Sequence, residues 1–221
     1  MIIVLLGPPG AGKGTQSKTL AKRLSLAHIS TGDLLRQNVS ENTTLGKQAK
    51  DYMEKGLLVP DELVTQMLIK RFGQPDLKPG FILDGYPRTI NQAKVLDDVL
   101  KSIKRHVKLV VYLDTSAAVI IQRLSGRLVC KKCGSNFHKS NMPAKVENVC
   151  DHCKGELYQR TDDKEETIKN RLSVYKKEVR SLIEHYQKAK ILERVLADDD
   201  APVVLEKIIE LVRQKNDSVK V

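Results

Sequence analysis

The sequence predicts an α/β fold, a three-layer sandwich in which helices cover both faces of a central parallel sheet. Three observations predict it. Short continuous apolar runs recur along the chain, Ile2-Ile3-Val4-Leu5-Leu6, Phe81-Ile82-Leu83-Asp84 and Leu109-Val110-Val111-Tyr112-Leu113, as strands buried on both faces require. Amphipathic stretches separate these runs. A glycine-rich segment, Gly7-Pro-Pro-Gly-Ala-Gly-Lys-Gly-Thr15, follows the first run directly, at the strand end where such sheets gather ligands.

The elements follow in order. After the glycine-rich segment, Gln16–Leu26 reads as a helix with Leu20, Ala21 and Leu24 on one side. Residues 30–59 are polar and helical without a strand, and read as an insertion. Asp61–Phe72 carries Leu63, Val64, Met67, Leu68 and Phe72 at helical spacing. The third apolar run leads into a helix over Ser116–Leu124. Residues 127–163 are rich in Cys, Gly, Lys and Asn, have little helical pattern, and read as a second insertion. The longest helix is predicted over Glu165–Ala189, where Ile168, Leu172, Tyr175, Val179, Leu182, Ile183 and Tyr186 form one stripe. A last strand over Ile191–Leu196 precedes a helix over Val203–Val212. Asp198-Asp199-Asp200 between them reads as a solvated turn. The resulting core comprises residues 1–29, 60–126 and 164–221, interrupted by insertions 30–59 and 127–163.

The chain has 221 residues, 41% hydrophobic and 29% charged, which suits one α/β domain with a sizeable core. No apolar run approaches the roughly 20 residues that span a bilayer. No basic flank precedes the first run, as a signal peptide would have. A soluble cytoplasmic protein without a membrane partner is expected. The formal net charge of +11 favours polyanions: nucleic acid, an acidic membrane or nucleotide phosphates. Aromatics make up only 4% and Trp is absent, which disfavours single-stranded nucleic acid held on stacking platforms.

Gly7-x-x-x-x-Gly12-Lys13, between a strand and a helix, has the pattern of a phosphate-binding loop (P-loop). Its backbone N–H groups wrap a phosphate, and Lys13 brings a full charge toward the β- and γ-phosphates. Gly10, Ala11, Gly12, Lys13, Gly14 and Thr15 are therefore candidate ATP contacts. Gly14 stands where a Ser or Thr usually follows the lysine. The hydroxyl contact to Mg²⁺ is then expected to shift to Thr15 or to pass through water. Asp84 ends a buried strand on the same side of the sheet, where a carboxylate can hold the water shell of Mg²⁺. The plainer reading of Asp84 is a turn former before Gly85.

Arg36, Arg88, Arg123, Arg127, Arg160 and Arg171 come from separate segments. Phosphoryl transfer asks a protein for positioning and charge stabilisation. Guanidinium forks fit phosphate oxygens in pairs. Any one arginine alone reads as a surface ion pair; six at motifs do not.

Cys130-Lys-Lys-Cys133-Gly and Cys150-Asp-His-Cys153-Lys-Gly are separated by 16 residues, within zinc-ribbon spacing. Two knuckles complete a closed tetrahedron, which makes the metal structural. Gly134 and Gly155 are expected to relieve the turns that follow. Two disulfides or four free thiols are the alternatives, both disfavoured by a reducing compartment and by the paired spacing. With few apolar residues, the insertion is expected to lack a core of its own and to move as a metal-held flap that excludes water.

Together these motifs resemble the adenylate kinase family over nearly the whole chain. Gly7–Thr15 resembles its phosphate loop, Ser30-Thr-Gly-Asp-Leu-Leu-Arg36 its nucleoside-monophosphate site, and Phe81-Ile-Leu-Asp-Gly-Tyr-Pro-Arg88 its central strand and turn. Gly126-Arg127, Arg160 with Asp162-Asp163, and Arg171 resemble its lid, in the long zinc-bearing form. The resemblance implies reversible transfer of the terminal phosphate of ATP to AMP, giving two ADP, with Mg²⁺, by a monomer that binds no nucleic acid. It implies catalytic roles for Lys13, Arg88, Arg123, Arg160 and Arg171. Arg36 and Arg88 would grip the AMP phosphate, Arg123 and Arg127 would face ATP, and Arg160 and Arg171 would close on the transferred group and AMP. Thr31, Leu57, Leu58, Val59, Gly85 and Gln92 would form the AMP site, and Ala201 would lie near the ATP adenine. Two stretches depart from the family pattern. His138–Ala144 lacks an aromatic and paired prolines, and Asp198-Asp199-Asp200-Ala201 replaces an Asp-Gly turn. The alternatives are a kinase of the same fold acting on UMP, CMP or GMP, and a nucleic-acid-binding zinc-ribbon protein.

Overall fold

The run Ile2–Leu6 is buried along its whole length because it is the middle strand of a five-stranded sheet. The computed structural model describes residues 1–217. Its strands in chain order are β1 (Ile2–Leu6), β2 (Ala27–Ser30), β3 (Phe81–Asp84), β4 (Leu109–Asp114), β5 (Arg127–Cys130), β6 (Asn136–His138), β7 (Leu157–Tyr158) and β8 (Leu192–Leu196). Its helices are α1 (Lys13–Leu24), α2 (Thr31–Ser40), α3 (Thr44–Glu54), α4 (Asp61–Phe72), α5 (Ile90–Ser102), α6 (Ala117–Ser125), α7 (Glu165–Lys188) and α8 (Ala201–Asp217). The predicted three-layer sandwich is present, with a parallel sheet in the order β2-β3-β1-β4-β8.

The continuous apolar runs follow from this layering. Ile2, Val4 and Leu6 pack into the core on one face, and Ile3 and Leu5 into the core on the other. Phe81 and Leu83 join the first face and Ile82 the second. Alternate side chains of a strand point to opposite sides, so neither set tolerates polar residues. Helix α7 sends Leu182 and Tyr186 to the first core, and α8 sends Val204, Leu205, Ile208 and Val212 to the second.

Two elements of the core, outside residues 127–163, have no counterpart among the expected ones. Strand β2 has four residues, two of them His28 and Ser30, and carries no apolar run. It is a strand because β3 offers a free edge, with Ala27 opposite Phe81 and Ser30 opposite Asp84. Helix α5 begins with Thr89-Ile-Asn-Gln92, where the Thr89 hydroxyl accepts from the Gln92 N–H at 3.1 Å, a legible N-terminal cap. Helix α1 starts at Lys13, three residues earlier than expected.

Residues 31–59 form α2 and α3, capped by Ser30 and Thr43. These helices cross so closely that a Cβ on Gly46 would lie 2.0 Å from the Asn38 carbonyl oxygen. Residues 127–158 form an antiparallel sheet in the order β6-β5-β7. Contrary to expectation this segment has a small core of its own, Cys130, Phe137, Cys150 and Leu157. Two of those four side chains are cysteines, so the core and the thiol cluster are one structure. Among the described residues no helix is long and apolar enough to cross a membrane.

Candidate active site

All five parallel strands end on one side, so the segments that follow them share one rim. The phosphate loop leaves β1, helix α2 leaves β2, and the Gly85 turn leaves β3. Between them lies a cleft of about 540 Å³. The loop turns into α1 at Gly12, whose φ of 89° suits only glycine without strain. Lys13 folds back across the loop, its Nζ donating to the carbonyls of Gly7 at 2.7 Å and Pro8 at 2.8 Å. Burial lowers the Lys13 pKa to about 7, with Asp84 opposing the shift and Arg88, Arg171 and Arg127 adding to it.

The departure at Gly14 has a physical reason here. A Cβ at that position would sit 3.3 Å from Asp84 Oδ2. The carboxylate takes the space that a serine or threonine side chain would fill. Asp84 is buried, and its Oδ2 lies 3.7 Å from Nε2 of His28, a nitrogen with no hydrogen-bond partner. Thr15 lines the same cleft.

The six arginines converge on this cleft, each from a different segment. Arg36 pairs with Asp33. Arg88 Nε donates to the Gly85 carbonyl at 2.9 Å. Arg123 donates to the carbonyls of Ala197 at 2.8 Å and Asp199 at 3.0 Å, tying α6 to the turn before α8. Arg127 and Arg171 share Asp163. Arg160 lies 3.8 Å from Asp33, and its Nε is buried without a partner. Burial and then neighbouring arginines lower the pKa values of Arg88 and Arg160 to about 10. So many crowded cations make a site whose charge is completed by anions.

A smaller pocket opens beside Arg88 and Arg36, lined by Thr31, Leu57, Leu58, Val59, Gly85 and Gln92. The Thr31 hydroxyl donates to the Gly85 carbonyl at 2.8 Å. Gln92 is buried. Its Oε1 accepts from the Arg88 N–H at 2.7 Å, and its Nε2 donates to Asp61 at 2.7 Å. One N–H and one lone pair of the amide remain for a ligand. At the other end of the cleft the Ala201 carbonyl accepts from Gln16 Nε2 at 2.9 Å.

The four cysteine sulfurs lie within 4.8 Å of one another. Cys130 and Cys153 are 3.4 Å apart, Cys133 and Cys150 3.6 Å, and none forms a disulfide. This is the donor set and spacing of a tetrahedral thiolate site, so the residues fit a metal ion. The two knuckles repeat one turn, with the Gly134 N–H donating to Cys130 and the Lys154 N–H to Cys150. The left-handed residue is Gly134 in the first and Lys154 in the second, so the expected turn role of Gly155 is corrected. Gly155 is small for another reason, because its Cβ would lie 3.0 Å from Cys130 Sγ. His152 is outside the cluster.

Several residues of the site carried no assigned role in the sequence. Asp33 and Asp163 organise the arginines. Asn136 lines the cleft, and its buried Oδ1 has no partner. The visible signals were the Ser30-x-x-Asp33 cap and the Asp162-Asp163 pair, whose partners are remote in sequence.

The adenylate kinase family model matches residues 5–191. The chain is 53% identical over 187 residues to the adenylate kinase of Caldicellulosiruptor bescii, covering 85% of this chain and 87% of that one. It is 50% identical over 192 residues to the adenylate kinase of Methanocella arvoryzae, covering 87% and 89%. With the adenylate kinase of Thermosipho melanesiensis the identity is 44% over 214 residues, covering 97% and 100%.

Proposed function

Because the chain belongs to the adenylate kinase family, we propose how its own residues divide the work of the family's reaction. That reaction is the reversible transfer of the terminal phosphate of ATP to AMP, giving two ADP, and the chain carries it out on these nucleotides with Mg²⁺. The observation that carries the division of labour is the convergence of six arginines and Asp84 on the phosphate-loop cleft.

Loop N–H groups and Lys13 hold the β- and γ-phosphates of ATP. Arg123 and Arg127 orient the rest of the donor, with the adenine toward Ala201. Arg36 and Arg88 grip the AMP phosphate in the smaller pocket, and Thr31, Leu57–Val59 and Gln92 receive its base. A glutamine amide donates and accepts side by side, which fits the adenine edge. Arg160 and Arg171 face the migrating group, where charge spreads over three oxygens and a placed guanidinium contributes roughly 10³–10⁵ in rate. The AMP phosphate is already an anionic nucleophile, so no general base is assigned. Asp84 and Thr15 would hold the water shell of Mg²⁺, an ion that would supply charge neutralisation at the phosphates.

The four cysteines would hold a structural Zn²⁺ and so stiffen residues 127–163 as a lid over the donor, while residues 30–59 close over AMP. The cleft is complete within one chain, which supports action as a monomer. Four unpaired thiols support a cytoplasmic setting. Turnover measured separately with AMP, UMP, CMP and GMP tests the base assignment. AMP is expected to be preferred strongly; faster turnover on a pyrimidine monophosphate would overturn the role of Gln92.

A further inference from the structure

We propose that Lys18 is a positioning residue that latches the lid closed through the first cysteine knuckle. Lys18 sits on α1, beyond the phosphate loop. Its Nζ donates to the carbonyl of Gly134 at 2.7 Å, across 116 residues of sequence. The same ammonium lies 4.0 Å from Asp33 Oδ2. One core lysine therefore touches the lid and faces the AMP insertion together.

The knuckle fixes the acceptor. Gly134 directly follows Cys133, and its own N–H donates to the Cys130 carbonyl at 3.0 Å. Its φ is +65°, and a Cβ there would lie 3.1 Å from Lys18 Nζ. Glycine serves both the turn and the approach of the ammonium. The direction of the Gly134 carbonyl thus depends on the thiol cluster, and a disordered knuckle would present no acceptor.

Position along the lid gives the contact its leverage. Among the described residues, the other hydrogen bonds from residues 127–160 to the rest of the chain lie at the root of the lid. His138 Nε2 bonds the Gln122 carbonyl at 2.9 Å, Gln159 Nε2 the Ser125 carbonyl at 3.2 Å, and Lys139 N the Gly126 carbonyl at 2.8 Å. Arg127 pairs with Asp163. Those contacts join the lid to α6 and to the turn before α7, whereas Lys18, beside the longer Arg160–Asp33 pair at 3.8 Å, holds it by a direct hydrogen bond from the far side of the cleft. Only a shut lid keeps Arg127 and Arg160 over the phosphates and water out.

The latch rests on the donor-side reading given above, but its test separates the two. Small-angle scattering of the nucleotide-free protein, and titration with a non-hydrolysable ATP analogue and separately with AMP, are compared for wild type, Lys18→Met and Lys18→Arg. The lysine is about one-third exposed, with 35% of its side-chain surface accessible, so solvent screening limits the effect. Lys18→Met is expected to enlarge the scattering radius and weaken the ATP analogue roughly fivefold. AMP affinity and metal content should be unchanged. Lys18→Arg, which keeps a cationic donor, should restore both. Wild-type scattering and analogue affinity in Lys18→Met would overturn the latch, as would an equal loss of AMP affinity, which would place the effect at Asp33. The scattering arm involves no nucleotide, so an error in the donor assignment cannot imitate a failed latch.

Discussion

Arg127 and Asp163 form a two-point ion pair where the small antiparallel sheet joins the rest of the chain, with Nε donating to Oδ2 at 2.7 Å and Nη2 to Oδ1. The Asp163 side chain has no accessible surface, and Arg171 Nη1 reaches the same Oδ1 at 3.3 Å. One carboxylate thus pairs with two arginines, from β5 and α7, that are themselves largely buried, and Arg171 meets a second carboxylate, Asp162, at 3.0 Å. Removing one partner of a buried pair leaves uncompensated charge. Asp163→Asn is expected to cost about 3–5 kcal/mol in urea unfolding and to misplace both arginines. A loss below about 1 kcal/mol, the scale of an exposed pair, would show that solvent already screens this site.

Lys13 supplies a prediction in pH. Its folded pKa of about 7 lies below the ordinary 10.5 because burial penalises the charge. The unfolded chain therefore binds more protons between those values, and nucleotide-free stability rises with pH across that window. Phosphates beside Lys13 favour its charged form, so binding takes up a proton above pH 7 and affinity falls as pH rises. Calorimetry of an ATP analogue at pH 8, in two buffers of different ionisation enthalpy, should reveal uptake approaching about one proton. Lys13→Met should abolish that uptake. Equal heats in both buffers for the wild type would refute the depressed pKa.

The thiol cluster makes the third. Replacing Cys130 and Cys133 with Ser removes half of a tetrahedral donor set and one member, Cys130, of the four-residue core around it. About one metal ion per chain should be lost, the melting temperature should fall, and proteolysis should begin within residues 127–163. The parallel sheet shares no core residue with this cluster, so its unfolding should remain cooperative. Native protein that carries no zinc on elemental analysis would sink the metal assignment.

What could be read in advance follows from the range of the interactions. Strands β1, β3 and β4 are buried on both faces, so composition alone marks them. The loop and the knuckles are local in sequence, and their chemistry lies within a few residues. Strand β2 was invisible because its strand character is the edge of β3, with Ser30 opposite Asp84. The Asp162-Asp163 pair was visible as a motif, but not its hold on Arg127, 36 residues away, and Lys18 gave no usable signal because its partner lies 116 residues away. The glycine at position 14 was legible as a departure, but its cause, the carboxylate of Asp84, belongs to another strand.

That glycine gives the last prediction. A Cβ at position 14 would stand 3.3 Å from Asp84 Oδ2, tighter than carbon and oxygen prefer. In Gly14→Ser the hydroxyl is placed to donate to that carboxylate or to push it aside. Either way Asp84 loses a lone pair, or the orientation, with which it would hold the water shell of Mg²⁺. The phosphate contacts of Lys13 and the arginines are untouched. The half-saturating Mg²⁺ concentration should rise about tenfold, the scale seen when a group supporting a metal site is disturbed. Turnover at saturating Mg²⁺ should change little, and binding of the metal-free ATP analogue should match wild type. Unaltered Mg²⁺ dependence would mean that the space beside Asp84 is slack, and that the residue at this position is indifferent to the carboxylate.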